Sequence, residues 1–311
     1  MKKILITGGA GYLGSHLAKQ LKNMGNTIHI IDIKLPQHPF WDKFYHLDIR
    51  DDLSKVFELT DYDIVYHFAG RIEVELSNIE SEEFRSVNVG GTINILTHMK
   101  KYNVKNIVFA STAAVYQSSD SPLSELSPIH TSSVYGETKV LCEDAIKKSD
   151  IKYVIFRFFN LAGADKSGII GENHNPETHL IPNIIRNPDK FSVYGNTYNT
   201  PDGTCVRDYV HVNDVARACV YAMKHLLKLN YPATLNLGSG TGNSVLEVIK
   251  SVEKEIKSKI KYTIKDKRDG DPAYLVAKID LAEIVLYWKP EYTLQDIIKD
   301  AVYYENRLTK Y

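Results

Sequence analysis

Lys3-Ile4-Leu5-Ile6-Thr7-Gly8-Gly9-Ala10-Gly11-Tyr12-Leu13-Gly14-Ser15-His16 reads as a short apolar β-prone run, a glycine turn and the start of an amphipathic segment through Leu17, Leu21 and Met24. Strand, turn and helix follow without a gap. Gly9, Gly11 and Gly14 satisfy the dinucleotide fingerprint, in which missing side chains allow a tight turn, close approach to a pyrophosphate and close packing of helix on sheet. The helix N-terminus then faces the phosphates. Thr27 to Asp32 supplies a second strand that ends in an acid about 20 residues after the glycines, where a carboxylate can accept both ribose hydroxyls of an adenosine. Taken alone, Asp32 would be a strand-end turn residue; behind this fingerprint it points to NAD rather than NADP.

Outward from this unit the pattern repeats. Tyr45 to Ile49 is β-prone, Asp51 to Leu59 helix-like, and Asp63-Ile64-Val65-Tyr66-His67-Phe68-Ala69-Gly70 a further strand with a polar end. A long helical segment from about Glu80 to Tyr102 precedes the apolar run Asn106 to Ala110, after which the chain turns polar at Ser111-Thr112. Short apolar strands alternating with helices predict an α/β fold, a Rossmann-type doubly wound parallel sheet. In such sheets the ligand crevice lies beyond the carboxyl ends of the strands, so Ser111 and Thr112 emerge where a nicotinamide would sit.

Tyr135-Gly136-Glu137-Thr138-Lys139 follows on the next helix. Residues four apart share a helix face, so the Tyr135 hydroxyl and the Lys139 ammonium can address a common point. A phenol titrates near ~10, and a cation roughly 4–6 Å away favours the phenolate. The spacing therefore predicts a base with its activator, completed by the Thr112 hydroxyl. A Tyr and a Lys four apart are also common on surface helices, and only the surrounding motifs raise this pair above that background.

Composition bounds the alternatives. The 311 residues carry 38 Lys+Arg against 38 Asp+Glu, and the zero formal charge argues against nucleic acid or an anionic membrane as the main partner. The apolar run after Met1-Lys2-Lys3 is far too brief for the core of a signal peptide, and no stretch elsewhere approaches the ~20 apolar residues of a membrane span. A cytoplasmic protein is expected. Cys142, Cys205 and Cys219 are widely spaced without a CxxC pair, which suits reduced structural thiols. His174 and His179 share a loop with Glu172 and Glu177, read here as a solvated polar loop, and no metal is expected.

These motifs, together with Ser111-Thr112-Ala113-Ala114-Val115-Tyr116, Arg157-Phe158-Phe159-Asn160, Gly203 to Val212, Asn236-Leu237-Gly238-Ser239-Gly240 and Arg268-Asp269-Gly270-Asp271-Pro272-Ala273, carry a resemblance along the whole chain. The sequence resembles the extended short-chain dehydrogenase/reductases, and within them it is most similar to the UDP-glucose 4-epimerase family. The resemblance implies hydride transfer from C4 of a UDP-hexose to bound NAD, a transient 4-keto sugar, and return of the hydride to its other face. Tyr135 would be the base, Lys139 its partner and a ligand of the nicotinamide ribose, and Thr112 the hydroxyl that orients the C4 proton. The 4,6-dehydratases of the superfamily place an Asp-Glu pair directly after the threonine; Ala113-Ala114 stand there instead.

The resemblance also implies that Gly8, Gly11, Tyr12, Leu13, Gly14 and Asp32 contact NAD, as would Asp48, Ile49, Phe68, Ala69, Gly70, Asn88 and Phe158. Arg207 and Arg268 would bind the diphosphate, planar guanidinium groups being suited to such anions. Asn160, His179, Leu180 and the Ser192-Val193-Tyr194 segment would meet the diphosphate and uracil, and Asp271 the uridine ribose. Considered singly, Arg207 beside Asp208 would be an ordinary surface ion pair. A homodimer through the helices around Glu80–Tyr102 and Ser133–Ser149 is implied by analogy. The domain division expected is 1–160 for NAD, with a return segment at about 208–238, and 161–311 for a smaller α/β UDP-sugar lobe assembled from noncontiguous pieces.

Departures from the family's pattern carry consequences. Ile72 stands where a cofactor-touching lysine is common; Arg71 is the candidate replacement, and substoichiometric NAD retention is expected. The residue that gates the space beside the sugar's C2 is Leu275 counting without a gap, or Tyr274 with a shift of one. Leu275 would admit UDP-GlcNAc and UDP-GalNAc besides UDP-Glc and UDP-Gal. Rival readings are a UDP-glucuronate 4-epimerase or a 4-keto reductase with the same trio, and a non-enzymatic dinucleotide sensor, which has no use for it.

Overall fold

The computed structural model describes residues 1–174, 176–228, 231–268 and 270–308. Its centre is a parallel sheet of seven strands: β1 (Lys3–Thr7), β2 (Thr27–Asp32), β3 (Lys43–His46), β4 (Ile64–His67), β5 (Asn106–Thr112), β6 (Lys152–Phe158) and a last strand, Ala233–Leu237. They lie in the order Ala233–Leu237, β6, β5, β4, β1, β2, β3. The chain leaves β1 in one direction and returns to β4 on its other side, so a crevice opens between the carboxyl ends of β1 and β4.

Period-two alternation puts both faces of this sheet in apolar cores. Ile4 and Ile6 point to a layer formed by helix α1 (Tyr12–Asn23) and the helix Val212–Lys228, through Leu17, Leu21, Val215 and Cys219. Leu5, between them, points to the opposite layer with Ile95, Met99, Cys142 and Ile146 from the helices Gly91–Lys101 and Val134–Lys147. The three cysteines are free and buried. No helix among the described residues is long and apolar enough to cross a membrane.

Glu80–Tyr102 is not the single regular helix expected from its pattern. It runs as α-helix over Ser81–Phe84, a π turn over Arg85–Gly90 and α-helix again over Gly91–Lys101. In the widened turn the Asn88 carbonyl accepts from the Thr92 hydroxyl at 2.7 Å and the Cys142 thiol at 3.2 Å. The helix Val212–Lys228 borders Leu229, which, like Asp269, lies outside the described residues.

A second body of structure has its own core of Ile181, Val193, Tyr209, Val248, Val252 and Ile298. It contains a sheet of Asn160–Ala162, Val206–His211, Gly242–Ser244 and Tyr274–Leu275, and a separate pair of strands, Phe191–Tyr194 with Tyr262–Lys265. The helix Val245–Ile256 opens with a capping box between Ser244 and Glu247. Late in the chain Ala282, Leu286 and Trp288 return to the first core, where the Trp288 indole N–H donates to the Asp214 carbonyl at 2.9 Å.

Candidate active site

A cleft of about 920 Å³ runs along the carboxyl ends of the central strands, lined by the glycine turn at one end and by Asn160, Leu180 and Leu275 at the other. At the turn, the spacing that matters is Gly8, Gly11, Gly14. Gly8 has φ +71°, and a Cβ on it would meet the Ala69 nitrogen at 2.6 Å, while a Cβ on Gly14 would fall 2.2 Å from the Gly8 carbonyl oxygen. Gly9, taken as part of the fingerprint, instead gives room to the Ile30 side chain, which a Cβ would meet at 2.6 Å. Gly11 caps α1 in extended conformation without a side-chain cap, leaving first-turn N–H groups for an anion. These bare backbones and the acid beside them fit a dinucleotide.

Asp32 ends β2 and accepts from the backbone N–H groups of Ala10 and Lys34, both at 2.9 Å. Burial still raises its pKa above the ordinary carboxylate value, these donors opposing the shift. Tyr12, Leu13, Asp48, Ile49, Phe68, Ala69, Gly70 and Phe158 also line the cleft. Asn88 does not. Its side chain takes the Arg71 N–H at 2.8 Å and donates to the Arg71 carbonyl at 3.1 Å and Thr138 at 3.0 Å, so it holds the loop after Gly70 from behind. Arg71 lies at the cleft wall, but its guanidinium is bound to Glu80 at 2.6 Å and lies over the Phe84 ring at 4.7 Å. That engagement argues against the replacement role read from its position beside Ile72.

Thr112 closes β5, its Oγ1 accepting from the Ala114 N–H at 3.1 Å, and Tyr135 and Lys139 descend from the Val134–Lys147 helix to the same part of the cleft. Burial pushes the Tyr135 phenol up to about 12, with the neighbouring Thr112 hydroxyl acting the other way. The activation expected from Lys139 is opposed by the burial of both groups. Lys139 Nζ sits 5.8 Å from the Tyr135 ring centroid and donates to the Ala110 carbonyl at 2.9 Å; burial lowers its own pKa. The i, i+4 spacing sets the shared face, while burial of the phenol works against its ionisation. Behind them His67 accepts or donates between Thr7 at 2.7 Å and Thr92 at 3.0 Å, and burial, with Lys139 nearby, lowers its pKa to about 3.

A buried ionic network that the sequence did not reveal supports this corner. The Arg157 guanidinium donates to both Glu143 carboxylate oxygens, at 3.0 and 2.7 Å, and Ser111 donates to the same carboxylate at 2.6 Å. Arg157 also donates to the Tyr116 hydroxyl at 3.0 Å, which donates to Asn236 at 2.6 Å. One network thus ties β5, β6, the Tyr135 helix and the last strand of the sheet. Arg157 and Asn236 belong to motifs carrying the resemblance, but their partners are distant in sequence.

On the opposite side, Asn160, His179, Leu180 and Leu275 line the cleft, whereas Ser192, Val193, Tyr194, Arg207, Arg268 and Asp271 do not. The Val193 side chain is in the core of the second body, so only its backbone is left to contact a ligand. Arg207 pairs with Asp271 and not with its neighbour Asp208. Asp208 is fully buried and accepts from Ser239, Gly240 and Ala277 N–H groups at 2.6, 2.9 and 3.1 Å. Arg268 is exposed, stacked over Tyr194 at 4.1 Å and 3.6 Å from Glu75. Of the two gate candidates Leu275 faces the cleft; Tyr274 does not line it. Within the loop read as solvated two carboxylates are enclosed, the Glu172 and Glu177 side chains being only 5% and 7% exposed, while Asn173, Pro176, Thr178 and His179 face solvent.

Residues 4–238 match the model of the NAD dependent epimerase/dehydratase family. A UDP-glucose 4-epimerase of Lactobacillus helveticus is 41% identical over 315 aligned residues, covering 96% of each chain. Among solved structures, UDP-glucose-4-epimerase from Stenotrophomonas maltophila with bound NAD and formylated UDP-arabinopyranose superposes with TM-score 0.95 at 32% identity, covering 100% of this chain and 99% of that one. The Bifidobacterium longum UDP-glucose 4-epimerase in complex with NAD+ and UDP gives TM-score 0.90 at 34% identity, covering 98% of both.

Proposed function

The chain belongs to the NAD-dependent epimerase/dehydratase family, and on that premise we propose that it inverts the C4 hydroxyl of a UDP-hexose through a transient 4-keto sugar. The observation that carries the reading is the convergence of Thr112, Tyr135 and Lys139 in a cleft continuous with the bare glycine turn and Asp32. NAD, when bound, supplies the acceptor for the C4 hydride and gives the same hydride back. The chain's own groups manage the proton. Tyr135 takes it from the C4 hydroxyl as the C4–H bond breaks, Lys139 and the positive charge of the bound cofactor offsetting the burial that otherwise keeps the phenol protonated; Thr112 orients that hydroxyl, and the phenol returns the proton when the hydride comes back to the other face. No oxidant is consumed.

Residues 1–160 with 208–238 hold the dinucleotide in this reading, and 161–311 the UDP-sugar. Gly8, Gly11, Gly14 and Asp32 serve the cofactor, supported by the absence of room for a Cβ at Gly8 and Gly14. Asn160, Leu180 and Leu275 serve the sugar nucleotide. Arg207 meets the diphosphate after exchanging Asp271 for it, which frees that carboxylate for the uridine ribose. Leu275 in place of a bulky aromatic residue supports acceptance of N-acetylated sugars. Ile93 and Leu141, exposed apolar residues on the two helices implied by analogy, support a homodimer. The three free, buried cysteines support cytoplasmic residence.

The deciding experiment is incubation with UDP-Gal without added NAD(H), followed by product analysis, repeated for Tyr135→Phe. UDP-Glc is the expected product, with deuterium placed at C4 retained on the sugar. Washout of that deuterium into water, or no turnover of any UDP-hexose by NAD-loaded wild type, overturns the reading.

A further inference from the structure

The loop ahead of the helix Leu180–Arg186 gathers Glu172, His174, Glu177 and His179 so that one ligand atom from each lies within 4.8 Å of all the others. Burying carboxylates is costly unless their charge is matched. Among the described residues no Lys or Arg reaches Glu172 within ion-pair distance, and Glu177 is reached by Arg186 at 3.3 Å, whose guanidinium is already forked on Glu305 at 2.8 and 2.7 Å. Apart from that shared guanidinium, only the imidazoles of His174 and His179 face these two carboxylates.

His174, whose side chain is 27% exposed, adds a second sign. Its Nδ1 is buried without a hydrogen-bond partner, 3.5 Å from the Glu172 carboxylate and 3.7 Å from that of Glu177. An imidazole nitrogen aimed between two carboxylates at more than hydrogen-bond distance is the arrangement an ion between them would complete. His179 Nδ1 contacts Glu172 from the other side. Outer contacts hold the donors in place: the Glu172 carbonyl accepts from Arg186 at 3.1 Å and the Glu177 carbonyl from Asn183 at 2.9 Å.

We infer that Glu172, His174, Glu177 and His179 form a four-coordinate binding site for a divalent cation of the zinc class. Two imidazoles and two carboxylates suit a borderline-soft ion better than calcium or magnesium, which take mostly oxygen. The ion neutralises the two carboxylates and fixes His179 and Leu180, where the loop meets the cleft. Its role is to hold the wall; the hydride and proton transfers do not pass through it.

The test needs no turnover, so its outcome is separate from that of the proposed reaction. The full chain, washed with chelator, is titrated with Zn2+ against a chromogenic chelator and, separately, with Co2+ under visible spectroscopy. One equivalent per chain resisting the chelator and an intense four-coordinate cobalt band are expected, with affinity weakened at least about 10- to 100-fold in Glu172→Gln and in His174→Gln. His130→Gln, an exposed histidine elsewhere, is the control and should bind as wild type. Unchanged binding in both cluster variants overturns the site. Should those variants fail to fold, the wild-type cobalt spectrum decides, and lack of the band overturns it.

Discussion

Lys139 Nζ, one helical turn from Tyr135, lies 5.8 Å from its ring centroid and spends a hydrogen bond on the Ala110 carbonyl, 2.9 Å away. The phenol is thus governed first by burial, which raises its pKa to about 12. In NAD-free protein, the tyrosinate absorbance lost in Tyr135→Phe should appear only above about pH 11, and Lys139→Met should move it by less than about one unit. A Tyr135-dependent tyrosinate below pH 9 would refute this. The sign for stability follows: the folded pKa lies above the unfolded value near ~10, so the contribution is complete below pH ~10 and lost as pH rises through about 12.

For the reaction itself, Tyr135→Phe should reduce kcat by about 10²–10⁴-fold with little change in melting temperature, since it removes one hydroxyl and keeps the ring. Steady-state kinetics alongside a thermal melt checks both halves.

Glycine positions in the turn should differ sharply. Gly14→Ala forces a Cβ to 2.2 Å from the Gly8 carbonyl oxygen, whereas Gly11→Ala meets that oxygen at 3.3 Å. NAD content after gel filtration should collapse for Gly14→Ala and fall less for Gly11→Ala; equal retention in both would contradict the packing argument.

Glu143→Ala leaves Arg157 buried without its carboxylate, and loss of about 3–5 kcal/mol of folding stability is expected. Urea unfolding of NAD-free protein measures it, and a loss below about 1 kcal/mol would show that the network is dispensable.

Leu275→Tyr should close the space it faces. UDP-GalNAc turnover is expected to fall at least about tenfold while UDP-Gal turnover changes less, a pocket contact of this kind being worth about 1–3 kcal/mol. Kinetics on the two nucleotides decides, and parallel losses would remove Leu275 as a discriminating residue.

Local pattern was enough for the sheet, because Ile4-Leu5-Ile6 and Ile107-Val108-Phe109 are buried on both faces and read as apolar runs wherever they occur. Thr112, Tyr135 and Lys139 were legible for a related reason: a strand end and one helix turn determine where they emerge. Pairings across long separations were not. Arg207 meets Asp271 after 64 residues, and nothing near either announces the other. The enclosure of Glu172 likewise depends on the last helix, since Gly171 packs against Tyr304 so closely that a Cβ would come within 2.3 Å of its ring. Helix periodicity, finally, carries no signal for a π turn such as the one at Asn88.

The chain passes between the two bodies repeatedly. Asn236 donates to the carbonyls of Leu123 and Lys278 at 2.9 and 3.3 Å, Phe159 donates to Leu237 at 2.9 Å, and Trp288 anchors a late segment back under the sheet. No single scissile bond divides this polypeptide into halves that each keep a whole interior. A nicked molecule should therefore stay associated and melt as one unit, and splitting the gene at the motif boundary after Asn160 should yield fragments that depend on each other to fold.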